Sequence, residues 1–107
     1  MREIKESDWK ILRQLQSQAL ERLCKAILQE IAQINDDTAK TFHERYLSIY
    51  KILQRRDKEI GDIFNDLRRS TAFFKLAAMK SRGLLTEDEF SRFSEETREV
   101  IALLLGD

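Results

Sequence analysis

From Phe42 to Ala77 the chain carries one row of residues at steps of four and three without a slip: Phe42, Tyr46, Ile49, Leu53, Arg56, Ile60, Ile63, Leu67, Ser70, Phe74 and Ala77. Such steps return to the same side of an α-helix every two turns, which is the pattern of a coiled-coil seam. Only Arg56 and Ser70 interrupt it with polar groups, and the sequence contains no proline to break it. The pattern predicts one long central helix over about 37–82. Gly61, which costs about 1 kcal/mol relative to alanine in a helix interior, is its one weak point. The seam keeps its phase through Gly61, so the reading favours a continuous rod with at most a bend there.

The flanking segments predict two further helices. Trp9, Leu12, Leu15, Ala19, Leu23, Ile27, Ile31 and Ile34 recur at helical spacing, giving a first helix over about 7–34 capped by Ser7 or Asp8. Leu20, Cys24 and Leu28 widen its apolar stripe. Asn35-Asp36-Asp37-Thr38 reads as a short turn in which Asp36, Asp37 or Thr38 caps the central helix. Lys80, Arg82 and Gly83 read as a cationic last turn and a glycine stop. Thr86 and Glu89 have capping-box spacing, opening a last helix over about 87–105, with Ser94 a second candidate cap at which it splits.

The fold expected is therefore all-α: an antiparallel three-helix arrangement around one central helix, in a single domain spanning 1–107. At 1.5 Å per residue that helix would be roughly 69 Å long. A compact globule of this length has a radius of gyration near 13 Å, so a straight rod does not fit inside one. Short turns would lay the first helix along one half of the rod and the last helix along the other. Tyr50, Ile52, Phe64 and Phe73 add apolar surface beside the seam, and two helices cannot cover so wide a stripe. The expected missing neighbour is a second copy of the chain, with Ile49, Leu53, Arg56, Ile60, Ile63, Leu67 and Phe74 on the dimer seam. Arg56, where leucine would pack better, is expected to mark the dimer axis or the junction of the outer helices, and Arg56→Leu to raise stability. A sharp bend at Gly61 closing a monomeric bundle is the alternative.

Chemistry-bearing residues are sparse. Lys plus Arg and Asp plus Glu each number 19, so no net field draws in nucleic acid or an anionic membrane. Arg55, Arg68, Arg69 and Lys75 are the candidate phosphate contacts, but Asp57, Glu59, Asp62 and Asp66 are interleaved with the basic residues in a mixed-sign pattern typical of a solvated face. His43 is the only histidine and Cys24 the only cysteine, which excludes a three-histidine zinc site and an intrachain disulfide. His43 has Glu44 beside it as a partner for base chemistry, but adjacent helical residues point about 100° apart and do not pair, and no Glu-x-x-His unit occurs; Cys24 sits on an apolar stripe as a small core residue does.

No phosphate loop, EF-hand loop, nucleophile elbow or metal-ligand cluster occurs, and no apolar run approaches the ~20 residues of a membrane span. The sequence reads as a cytoplasmic, non-enzymatic, helical protein–protein interaction or assembly module. It is expected to form a homodimer or dock on another protein, with no cofactor, metal or membrane. The alternative is a small regulator touching nucleic acid through the basic half of the central helix.

Overall fold

The computed structural model describes residues 3–106; Met1, Arg2 and Asp107, part of the expected domain, lie outside the described residues. These residues are helical with no strand among them. They form α1 (Glu6–Asn35), α2 (Phe42–Phe64), a 3-10 turn (Arg69–Thr71), α3 (Ala72–Ser81), α4 (Glu87–Ser91) and α5 (Glu95–Leu104).

The continuous helix expected over 37–82 is not formed. It begins later and is broken in two. Thr41, not Asp36, Asp37 or Thr38, caps α2. The Thr41 hydroxyl accepts from Glu44 N at 3.0 Å while the Glu44 carboxylate accepts from Thr41 N at 2.9 Å. Two free amides are thus satisfied reciprocally, which a single aspartate cap cannot do.

The break lies at Asn65–Arg68, not at Gly61. Asp66 adopts a left-handed backbone (φ 59°), a conformation that Asn and Asp reach more readily than other non-glycine residues. Its carboxylate is held by the Arg68 guanidinium, Nε to Oδ1 at 2.7 Å, and Thr71 Oγ1 donates to the Asp66 carbonyl at 2.8 Å. Lys75 Nζ donates to the carbonyl of Asp62, in the last turn of α2. The gain that drives the break is burial: Ala72, Phe73, Leu76, Ala77 and Met79 all reach the core. On a straight rod they would stay wet, and apolar burial is worth ~25 cal/mol per Å2.

Helical structure continues through Gly61. A Cβ there would meet only the Asn65 side chain, Nδ2 at 3.1 Å, and that amide is free to swing aside. Gly61→Ala is therefore expected to raise stability by up to about 1 kcal/mol, or a few degrees of Tm, in thermal denaturation. A lower Tm would show that Asn65 is fixed.

The remaining caps follow their sequence signals. Gly83 (φ 69°) ends α3, with Gly83 N bonded to Lys80 O at 3.1 Å and Leu84 N to Met79 O at 3.0 Å. These two bonds define a Schellman stop, and Leu84 and Met79 are both buried beside it. Thr86 and Glu89 form the capping box of α4. Ser94 caps α5, so the last helix is split there. The start of α1 differs: Lys5 is its N-cap without a side-chain bond, and Asp8 is spent elsewhere.

The molecule measures 51 × 26 × 25 Å, with a radius of gyration of 16.7 Å. Its width is uneven. Arg69 reaches Glu6 and the Ile4 carbonyl, Asp8 meets Ser94 and Thr97, and Arg22 meets Leu84 and Glu89. These contacts gather α3, α4 and α5 around the N-terminal half of α1 and the end of α2, forming a head whose core includes Leu12, Leu15, Ile63, Leu76, Met79, Phe93 and Ile101. Beyond the head, the second half of α1 and the first half of α2 project as a two-helix arm. Arg45 Nη1 donates to Asn35 O at 2.6 Å, and Arg56 Nε donates to Glu30 Oε1 at 3.2 Å. Residue 35 thus lies by 45 and residue 30 by 56, so the two helices run antiparallel.

Candidate functional site

The arm can bury only the surface where its helices touch. On α2 the side turned to α1 carries Arg45, Ile49, Ile52, Arg56 and Ile63. At 100° per residue, Phe42, Leu53, Tyr46 and Tyr50 lie about 50° to 130° round from that line, all to one side. On α1, Cys24 and Leu28 lie about 75° and 115° round from the line through Leu23, Ile27 and Ile34. Because the helices are antiparallel, both offsets fall on the same face of the hairpin. The opposite face is polar. There Glu30 pairs with Arg55 at 3.8 Å and Arg56 at 3.2 Å, and Glu59 pairs with Arg56 at 2.8 Å and Arg82 at 3.4 Å.

The apolar face is bare. Phe42 is 85% exposed, Leu28 65% and Tyr46 63%, with Tyr50 and Leu53 also exposed. A furrow of about 740 Å3 on the outer side of α1 passes Cys24 and Leu28 and is otherwise lined mainly by the polar side chains of Gln18, Glu21, Arg22, Lys25 and Gln29. Scattered exposed apolar residues are ordinary, whereas Phe42, Tyr46, Tyr50 and Leu53 are exposed together on one side of α2. Tyrosine and phenylalanine are also the residue types enriched at interface centres.

The expected seam residues have divided fates. Ile63 is buried, and Ile60 and Leu67 pack against the core. Ile49 is half-buried. Arg56 is half-buried between Glu30 and Glu59 of its own chain, each of which keeps a second arginine. Leu53 and Phe74 remain exposed, Leu53 on the bare face and Phe74 on α3. The C-terminal part of the seam is thus largely spent inside the chain, whereas Phe42, Tyr46 and Leu53 of its N-terminal part stay open. Of the flanking residues, Tyr50 lies on that surface, while Phe73 is buried and Phe64 packs on the core.

The candidate phosphate contacts do not converge. Arg68 pairs with Asp66, Arg69 with Glu6 at 2.8 Å, Lys75 with the Asp62 carbonyl and Arg55 with Glu30. His43 is exposed on the first turn of α2 and Cys24 is half-buried on α1. Among the described residues no group of three or more His, Cys, Asp or Glu side chains is placed to hold a metal ion, and none of their helices is long and apolar enough to cross a membrane.

Two buried or half-buried carboxylates are used structurally. Asp8 Oδ1 accepts from Ser94 N at 2.9 Å, and Oδ2 accepts from Ser94 Oγ at 2.6 Å and Thr97 Oγ1 at 2.7 Å. Burial alone pushes the Asp8 carboxyl up, but these hydrogen bonds outweigh it and hold it below its ordinary value. Glu89 receives both Arg22 Nη1 at 2.6 Å and Nη2 at 3.1 Å, and the Arg22 hydrogen bonds lower it to about 2 against an opposing push from burial.

No family model matches this chain, and neither the curated proteins nor the solved structures compared with it include a match.

Proposed function

We propose that the chain is a non-enzymatic helical interaction module that self-associates through its arm. The observation carrying this reading is the uncovered face of Leu28, Phe42, Tyr46, Tyr50 and Leu53. With surface areas typical of these side chains, the face leaves roughly 650 Å2 open, close to the ~800 Å2 per partner of a standard interface. With the chain broken at Asn65–Arg68 there is no overlong rod to cover; the open surface lies on the arm instead, where a helix pair has no third layer of its own to bury it. Charge does not oppose pairing of identical copies, because the formal net charge is zero. A single half-buried free thiol at Cys24 suits the reducing cytoplasm.

Size exclusion with light scattering tests the reading. The wild-type chain is expected at twice its monomer mass at tens of micromolar. The pair of changes Tyr46→Glu and Leu53→Glu is expected to yield a monomer with unchanged helicity, since both residues are exposed within the chain. A wild-type monomer across that range overturns self-association.

A further inference from the structure

We infer that the chain also has an exchanged form, in which the hinge at Asn65–Arg68 opens, α2 runs on into α3, and α3–α5 of each copy pack on α1 of a second copy. The apolar row keeps its helical step through the hinge: Ile60, Ile63, Leu67, Phe74 and Ala77. On one straight helix these five would lie within about 100° of each other. In the closed chain Leu67 and Ala77 reach the core, but Phe74 holds the same step and is 60% exposed. A demand for core side chains therefore does not account for Phe74. A straight α2–α3 sets it in line with Ile63 and Leu67, where the opened hinges of two copies run past each other.

The closed hinge is short and strained. Asp66 is a non-glycine residue in the left-handed region (φ 59°), held there by Arg68 and Thr71. A straight helix relieves that conformation and gives the backbone groups of the turn helical partners. Short strained connections favour exchange of elements between copies. The contacts that close the head are of the kind that survives exchange. Asp8 with Thr97, Arg22 with Glu89 and Lys5 with Glu96 each join a residue before the hinge to one after it, so each forms equally well between two chains. Beyond the hinge α3 packs on α5, so the exchanged unit keeps its internal packing. None of this uses the bare face of the arm, and the exchange stands apart from association through that face.

The test starts from the full chain carrying Tyr46→Glu and Leu53→Glu, which removes pairing through the arm. This parent is refolded from urea at low and at high chain concentration, because a folded chain must break its head contacts to open. Asp66→Ala adds strain to the closed turn and favours the helix, whereas Asp66→Gly relieves the strain and disfavours the helix. After refolding at high concentration, the dimer fraction by size exclusion is expected to be highest for Asp66→Ala, lower for the parent and lowest for Asp66→Gly. The dimerisation constants of the two variants are expected to differ by at least about tenfold. Lys5→Cys with Glu96→Cys, in the Cys24→Ser background, reports which chains meet. A short bismaleimide is expected to join the two sites between chains in the dimer and within one chain in the monomer. No dimer from any of the three, or a dimer joined only within its chains, overturns the exchange. Should Asp66→Ala fail to refold, the parent against Asp66→Gly decides, and equal dimer fractions overturn it.

Discussion

Asp8→Ala is expected to destabilise the fold by about 4 kcal/mol and to lower Tm by roughly 20 °C in thermal denaturation. Asp8 is 1% exposed and accepts three hydrogen bonds from the start of α5. It acts as a cap supplied from the other end of the fold. Ser94 caps its own helix through Thr97 N, and the Asp8 carboxylate adds a full negative charge at the positive end of that helix. Alanine leaves the Ser94 amide and two hydroxyls without their acceptor in a space closed to water, where each orphaned donor costs ~1–3 kcal/mol. Asp8→Asn keeps one acceptor oxygen and is expected to fall between the two. A loss under about 1 kcal/mol for Asp8→Ala would mean that water reaches the site and that the network contributes little.

Glu89→Gln is expected to remove most of the acid sensitivity of the head. The wild-type Glu89 carboxyl sits at about 2 against an ordinary value of 4.5. A folded-state value below the unfolded one stabilises the fold where the carboxylate is ionised in both states, that is, above about 4.5. That stabilisation, on the order of 2–3 kcal/mol, is lost as pH falls toward 2. The gap in Tm between wild type and Glu89→Gln is therefore expected to be widest near pH 7 and to close as pH falls from 4.5 to 2. A gap that does not change with pH would show that Arg22 and Glu89 contribute no net linkage. Asp8, also held below its ordinary value, adds a loss of the same sign, so the double change flattens the acid limb further.

Local signals were legible from sequence wherever one residue type has one mechanical use. Thr86 with Glu89, Ser94 and Gly83 each occupy the cap positions their chemistry indicates. The division of 37–82 was hidden for a physical reason. Leu67 lies in the break yet packs on the core, so the apolar row keeps its step of four and three while the backbone leaves the helix. Periodicity reports which side chains seek the core, and a loop can supply one as well as a helix can. The signal that was present is Asn65-Asp66, a pair able to take left-handed and turn conformations, with Ser70-Thr71 beyond it as helix-start residues. Thr41 with Glu44 was equally visible and outcompetes the acidic run before it. The bare face was half legible: Tyr50, Cys24 and Leu28 stood out as surplus apolar width, but which side of the stripe stays open depends on how α1 lies against α2. The cross-fold role of Asp8 had no sequence signal, since its partners lie 86 and 89 positions away.

That separation bears on how the chain is made. Loops that span nearly the whole sequence are slow to close, and a ribosome releases Asp8 long before Thr97. During synthesis the first helix must keep its acidic group hydrated, so its inner side cannot be sealed until the final helix emerges. The head is thus committed late, whereas the hairpin formed by residues 23–56 has its cross-links between positions only 10 and 26 apart and is free to form first.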